Sequence, residues 1–577
     1  MSSPAVWAPR ADLVELEVDG GERRPMERDE HDWWRPHVEH RGAYRFVVDG
    51  DPLPDPRSPS QPQGTDGPSH TVDHDAYRWG DAGWHGRPLA SSVLYELHVG
   101  TFSAAGTFDG VLEHLDHLVD LGVNGVELMP VAEFPGRRGW GYDGVLIGAP
   151  HHAYGGPEGL KRLVDGCHGR GLAVVLDVVY NHLGPSGNHL ARFGPYFTDR
   201  YRTPWGEAVN LDGPGSDEVR RFLIDNALDW LEHYHVDGLR IDAVHAFADR
   251  SAVHLLEELA GAVDGLSARL GRQLWLIAES DLNDPRLVRP PEAGGYGLDA
   301  SWSDDLHHAL HVMVTGEQQG YYRSYRGLAD VARALERVYV YDGGRDPGRG
   351  RRHGRPVGDL SRHRFLGYAQ NHDQVGNRAT GDRLSQLVEP DALAALAALV
   401  LTGPFVPMLF QGEEWGATTP FQYFTDHPDP ELGEAVRAGR RQEFAAFGWA
   451  PEAVPDPQDP ATFARSKLRW EEAGDTPHRE LLAWYRRLIE LRHHHPDLLD
   501  GRPGATRATF DDEQRWLVVE RGAATVVALN LAAQARRVPL PPGARTIRAS
   551  FPPDEAVSGV GAVQLPAGGV VVMVAEA

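Results

Sequence analysis

Cysteine is almost missing: Cys167 is the only one in 577 residues. No intrachain disulfide can form, so packing and hydrogen bonds must hold the fold, and the redox state of the compartment is not revealed. No secretory leader is expected from the opening residues either. The opening MSSPAVWAPRADLVELEVDG has no basic segment followed by an apolar core and does not read as a secretory signal. Positive charge is scarce: 57 Lys and Arg against 83 Asp and Glu leave a formal net charge of -26. That balance argues against a nucleic-acid binder, whose affinity comes mainly from neutralising phosphates. Unbroken apolar length is lacking too. The longest run, ALAALAALVLTGPFVPMLF at 392–410, is interrupted by Gly403, Pro404 and Pro407. It reads as a buried helix, a turn and a short buried strand rather than a membrane span. The expectation is a cytoplasmic protein with no membrane and no nucleic-acid partner.

What is present falls into three stretches. Residues 1–88 hold short alternating segments such as DLVELEVDG, DWWRPHVEH and AYRFVVDGD, each ending in a turn signal, which suggests a small β-sandwich. The Pro- and Gly-rich DPLPDPRSPSQPQGTDGPSH that follows reads as extended chain draped over a neighbour. Over 89–492 the pattern changes to apolar strands alternating with amphipathic helices. VLYELHVG, GVNGVELMP, LAVVLDVVY, VDGLRIDAV, LWLIAES, YGLDASW, RFLGYAQNH and FVPMLFQGE supply eight strands. Eight such units imply an α/β fold of the (β/α)8 barrel type. A doubly wound open sheet is the alternative, but no glycine-rich dinucleotide fingerprint follows any strand. The helix in RELLAWYRRLIELRHHHPDLL closes the barrel, and RWLVVERG, ATVVALNL and VVVMVAEA predict a C-terminal β-domain over 493–577.

In such a barrel the active site lies at the C-terminal ends of the strands. The third strand ends in Asp177, then Asn181 and His182; the fourth in Arg240, Asp242 and His245; the fifth in Glu279; the seventh in Asn371, His372 and Asp373. One Asp or His after a strand is an ordinary turn former or helix cap. Four strand ends together are harder to explain so plainly. Adjacent strand ends stand ~5 Å apart, and a retaining glycosidase needs two carboxyls roughly 5–5.5 Å apart, one nucleophile and one acid/base. Asp242 and Glu279 meet that description. Arg240, two residues before Asp242 on the same face, would keep it ionised, and neighbouring acids would help Glu279 keep a proton. A metal site from Asp177, His182 and Asp373 competes, but no compact HxxxH or HExxH spacing supports it. Trp140 and Tyr142 in RRGWGYDG, and Trp205 in TPWGEAVN, could pack on the C–H faces of sugars; core packing is the plainer explanation for Trp205 alone.

DVVYNH, GLRIDAVHA, IAES and NHD resemble, in order and spacing, the four sequence blocks of the α-amylase superfamily of glycoside hydrolases. The resemblance spans nearly the whole chain. It implies that Asp242 is the nucleophile, Glu279 the acid/base and Asp373 the third carboxylate. It implies that Arg240, His182, His372 and Tyr142 line the subsite for the sugar on the non-reducing side of the cut. Asn181 matches a calcium-binding position in many α-amylases, but the insertion at 181–217 is short and lacks the other ligands, so neither metal nor other cofactor is expected. Within the superfamily, IAESDLNDPR, YAQNHDQVGNR, FQGEEWGATTPFQYFTDH and RGRRHGRPVGDL resemble the maltooligosyltrehalose trehalohydrolases. That resemblance implies cleavage of the α-1,4 bond beside a terminal trehalose, with maltooligosyl trehalose or a related α-1,4-glucan as partner. It also implies pairing with a maltooligosyltrehalose-forming enzyme through the shared substrate. Asp281, Asn283, Asp284 and Gln374 and the loop 341–363 are the candidates for reading the trehalose unit; His245 and Trp205 complete the binding set. The Arg-rich GGRDPGRGRRHGRPVGDLSRHR within that loop reads either as a solvated loop or as a flap over the site. Glycogen branching enzyme shares the architecture and is the nearest alternative. From another class, a catalytically dead glucan-binding barrel would be expected to have lost one of the three acids.

Overall fold

The computed structural model describes residues 4–445, 449–543 and 545–575. Its centre is a closed barrel of eight parallel strands: β1 (Leu94–Leu97), β2 (Gly125–Leu128), β3 (Ala173–Val178), β4 (Gly238–Ile241), β5 (Trp275–Ala278), β6 (Ala300–Trp302), β7 (Phe365–Gly367) and β8 (Val406–Phe410). Each pairs with its successor in sequence, and β8 closes on β1 through Met408 opposite Leu94. Every residue of these strands is buried or nearly so, which is why they read as continuous apolar runs: a parallel sheet wrapped by helices has no solvated face. Leu94, Val175, Ile277, Trp302, Leu366 and Met408 belong to one apolar cluster inside this ring.

The helices follow the sequence pattern. Helix α1 (Gly156–His168) leads into β3, α2 (Ser216–His233) into β4, and α3 (Leu255–Leu270) into β5. The link from β5 to β6 has only short 3-10 turns at Pro285–Leu287 and Pro291–Ala293. Helix α4 (Asp304–Thr315) starts directly at the end of β6. The interrupted apolar run becomes helix α5 (Pro390–Thr402), a turn and β8; among the described residues no helix is long and apolar enough to cross a membrane. Helix α6 (His478–His494) completes the ring.

Ahead of the barrel lies a seven-stranded β-path over residues 6–70. Its strand Glu22–Arg28 pairs with Val14–Val18 through its first half and with Trp33–Pro36 through its second. A strand that changes partners midway makes the corner of a sandwich. This strand is not foreseeable from sequence: ERRPMER is exposed on nearly every position and carries a proline, so no alternation marks it. The Pro-rich segment after it packs down as expected, with Asp55, Ser58, Gln61 and Thr65 buried and Arg57 paired to Asp225 of α2 at 2.9 Å. Beyond α6, a five-stranded and a three-stranded antiparallel sheet occupy residues 506–575.

The floor of the barrel is sealed by charge. Asp237, just before β4, is fully buried. It accepts from Trp84 Nε1 at 2.7 Å, from the Val174 amide at 2.8 Å, and pairs with His168 at 2.9 Å. Asp81 joins both His168 (2.8 Å) and His235 (2.7 Å), tying the incoming chain to the barrel.

Candidate active site

At the other end of the strands the register does the positioning. Ile241 of β4 stands opposite Ala278 of β5, so Asp242 and Glu279 are the next pair along. The Glu279 amide donates to the Ile241 carbonyl at 3.1 Å, continuing the ladder, and Glu279 Oε2 accepts from the Ala243 amide at 2.6 Å. Arg240 points inward one alternation below Asp242. Its Nη1 lies 2.6 Å from Asp177 and 2.9 Å from Asp242, and Nη2 lies 3.8 Å from Glu279. The guanidinium rests 4.3 Å from the Trp302 ring centroid. A fully buried arginine is tolerable because these anions surround it. Asn181 holds the other side of Asp242, donating to its carboxylate at 2.7 Å and its carbonyl at 2.9 Å, while its own oxygen meets His182 Nδ1.

Tyr142 and His372 form the opposite wall. The Tyr142 hydroxyl donates to Asp177 at 2.5 Å and lies 2.7 Å from His372 Nε2; the two rings stack with centroids 5.2 Å apart. His372 Nδ1 contacts Glu96 at the end of β1 at 2.5 Å, and its amide donates to the same carboxylate. Burial opposes a charge on this imidazole, but Glu96 and Asp373 outweigh it and raise its pKa to about 9. Asn371 caps the helix that carries Asp373, accepting from the Asp373 and Gln374 amides at 3.0 and 3.2 Å. Trp205, 48% exposed on the hairpin 197–209, stacks on His182 with centroids 4.5 Å apart and planes within 3°.

The protonation pattern separates the two central carboxyls' neighbours. Burial pushes Glu279 well above the usual carboxyl range; Arg240 opposes this, while Asp242, Asp304 and Asp373 add to it. Burial also raises Asp177 to about 6, with Arg240 opposing. The arrangement therefore holds a proton on one carboxyl beside another that is ion-paired.

A chain of contacts brings together Asp242, Glu279, Asp373, Arg240, Tyr142, His182, His372 and Trp205. His245 is exposed; burial opposes the charge on Asp281, and Arg349 first, then His245, outweigh it and lower its pKa. Gln374 reaches toward Asp304 at 3.4 Å. Asp284 is occupied locally, capping the turn at Pro285–Leu287 and pairing with Arg286 at 2.5 Å. Asn283 is likewise engaged with Asp305 and the Tyr341 carbonyl. Sequence reasoning missed Glu96, Glu127 and Asp304. Glu127 on β2 is buried with neither carboxyl oxygen hydrogen-bonded to protein, and burial raises its pKa, with Glu96 adding to the effect. A lone acid within an otherwise apolar strand was the available signal for Glu96 and Glu127.

Residues 68–200 match the family described as alpha amylase, catalytic domain, and residues 501–572 match a domain of unknown function, DUF3459. The chain is 57% identical over 499 residues to a malto-oligosyltrehalose trehalohydrolase of Arthrobacter ramosus, covering 85% of this chain and 87% of that one. It is 52% identical over 540 residues to one from Rhizobium sp. strain M-11, covering 91% and 90%. A crystal structure of a Salmonella typhimurium protein provisionally named an alpha amylase superposes with TM-score 0.90 at 38% identity, covering 99% of this chain and 97% of that one. The chain therefore belongs to the malto-oligosyltrehalose trehalohydrolase family, built on an alpha-amylase catalytic barrel.

Proposed function

We propose that Asp242 is the nucleophile, Glu279 the acid/base and Asp373 the third carboxylate of a retaining α-glucan hydrolase that releases trehalose from maltooligosyl trehalose. The chain is a glycosidase. Asp242 attacks the anomeric carbon while Glu279 gives its proton to the glycosidic oxygen, and the trehalose half leaves. A covalent glucosyl–enzyme remains. Water then attacks that carbon, Glu279 takes the water's proton, and Asp242 is freed. The observation that carries this reading is the pairing at one register step of an acid kept protonated with a carboxylate held by Arg240 and Asn181. Tyr142, His182 and His372 line the non-reducing side, Trp205 extends it, and Gln374 and His245 lie on the leaving-group side.

The same proposal divides the chain at 1–88, 89–492 and 493–577, which the separate sheets support. It places the enzyme in the cytoplasm, working beside an enzyme that forms maltooligosyl trehalose. The test is product analysis. Incubation with maltotriosyl trehalose should yield trehalose and maltotriose, much faster than maltopentaose is cut. Equal rates on both would remove the trehalose specificity, and α-1,6 branches made on amylose would support a branching enzyme instead.

A further inference from the structure

One buried acid inside the barrel has no part in the reaction described above. Glu127 lies on β2. Its neighbours Val126 and Leu128 belong to the apolar core shared with the surrounding helices, so Glu127 points into the barrel. Register places it between Glu96 of β1 on one side and Val175 of β3 on the other. Val175 is part of the apolar cluster inside the ring. Glu127 is 1% exposed, and neither of its carboxyl oxygens accepts a hydrogen bond from the protein. A buried carboxylate needs a donor or a cation, and an unpaired one calls for an explanation.

The charged groups facing Glu127 are Glu96 from β1, Asp177 from β3, Arg240 from β4 and His372 from the segment after β7. Arg240 donates through Nη1 to Asp177 and Asp242 and makes no hydrogen bond to Glu127. His372 is bound to Glu96 through both its amide and Nδ1. No cation or amide therefore pairs with Glu127, and register sets another acid beside it. Two carboxyls bond to each other only through a proton that one of them holds. Glu96 accepts twice from His372 and balances that imidazolium, so it is the ionised member. Glu127, with no donor of its own, is the member that keeps the proton. Burial favours the same neutral form, and Glu96 adds to the effect.

We propose that Glu127 is a positioning residue: it stays protonated and donates a hydrogen bond to the Glu96 carboxylate, which in turn holds His372 against Tyr142 and Asp373. This rests on the function above, in which His372 lines the subsite of the reacting sugar. The chain runs from the barrel interior to the sugar wall, where His372 Nε2 lies 2.7 Å from the Tyr142 hydroxyl and 3.5 Å from Asp373. A second donor on Glu96 keeps its carboxylate from turning and so keeps the imidazole aimed. Position, not stability, is what Glu127 contributes. An apolar side chain of similar length would fill the same space without a polar group to desolvate, and such exchanges in a buried site are often neutral or stabilising.

The experiment compares wild type, Glu127→Gln and Glu127→Met on maltotriosyl trehalose, with the Tm of each. Glu127→Gln keeps the shape and a donor, so it should retain most of the wild-type kcat. Glu127→Met keeps the length and removes the donor. Its kcat should fall about 10- to 100-fold, the worth of a hydrogen bond to a charged group, while its Tm stays level or rises. The infrared difference between wild type and Glu127→Gln at neutral pH should contain the carbonyl band of a protonated carboxylic acid. Wild-type kcat in the Met variant, a Gln variant that falls as far as the Met variant, or a difference spectrum with carboxylate bands alone would each overturn the assignment. So would a Met variant that loses Tm and kcat together or does not fold, which is the mark of a purely structural role. A wild type that releases no trehalose would strike the function above, and the infrared band would still report on Glu127 by itself.

Discussion

Glu279 and Asp242 are both carboxyls just past the ends of neighbouring strands, and their surroundings differ. Asp242 receives Arg240 and the Asn181 amide, while Glu279 has one amide bond, a distant guanidinium and three acids around it. Glu279→Gln keeps the shape and removes the transferable proton. General acid–base help is worth typically ~10²–10⁴-fold, so turnover of natural substrates should fall at least that much. A substrate with an activated leaving group should be spared in its first step; equal loss on both would argue against the acid role. The raised pKa fixes the sign of the pH profile. Activity needs the protonated form, so it declines as pH rises through the Glu279 pKa, which lies above the ordinary 4.5. An alkaline limb of kcat/KM at or below that ordinary value would contradict it. These residues were legible because each sits just past an apolar strand. Glu96 was not: it reads as one acid in LYEL, and what it does depends on His372, 276 positions away.

At the scale of elements, the strand register carries the stereochemistry. Adjacent strands with aligned ends stand about 5 Å apart, the carboxyl spacing of a double displacement with retention. The first-formed hemiacetal should be the α anomer, and proton NMR of early product showing β anomer would sink the idea. The hairpin 197–209 makes a second prediction. It projects Trp205 over His182. Aromatic contacts contribute about 0.5–1.5 kcal/mol, so Trp205→Ala should raise KM for long substrates about 2- to 10-fold with little change in kcat. A matching fall in kcat would move that ring's role to the reacting sugar. The barrel strands and main helices were readable because their periods are strong. The cavity lined by Asp281, His308, Tyr321 and Arg349 was only partly readable. Asp281 and the 341–363 loop that holds Arg349 were singled out, but His308 comes from helix α4 and Tyr321 from the turn at 320–324, and their meeting depends on the segments that hydrogen bonds to Asp305 and Asp346 fold together. Hydrogen bonds to Asp346 give Arg-rich 345–352 a defined shape, where the sequence favoured a solvated loop over a flap.

For the whole molecule, one cysteine and no disulfide leave the junction between the N-terminal region and the barrel to non-covalent contacts. The Asp81–His168–Asp237 network is a largely buried polar part of that junction, with His235 and Trp84 at its edges. Burial works against the Asp81 charge, but hydrogen bonds from His168 and His235 outweigh it and depress the pKa below the ordinary 3.8. His168 moves the other way: burial again opposes its charge, and Asp237 and Asp81 raise the pKa above the ordinary 6.5. A depressed acid contributes stability that is present above its unfolded pKa and lost as pH falls through the folded value. A raised histidine contributes stability that is present below its unfolded pKa and lost as pH rises through the folded value. The two contributions therefore overlap fully between about pH 4 and about pH 6.5, the unfolded values of the two groups. Asp81→Asn should cost most inside that window. Removing one partner of a buried pair costs about 3–5 kcal/mol, and the loss should appear as a lower Tm with the catalytic constants of the still-folded enzyme unchanged. Below about pH 4 the gap between wild type and variant should narrow progressively, because the unfolded wild-type chain takes up a proton at Asp81 there while the folded chain does so only at lower pH. Thermal unfolding followed at several pH values checks this. A gap that stays constant down to pH 2 would mean that Asp81 acts through shape alone, and that the charge at the barrel floor does not secure the junction.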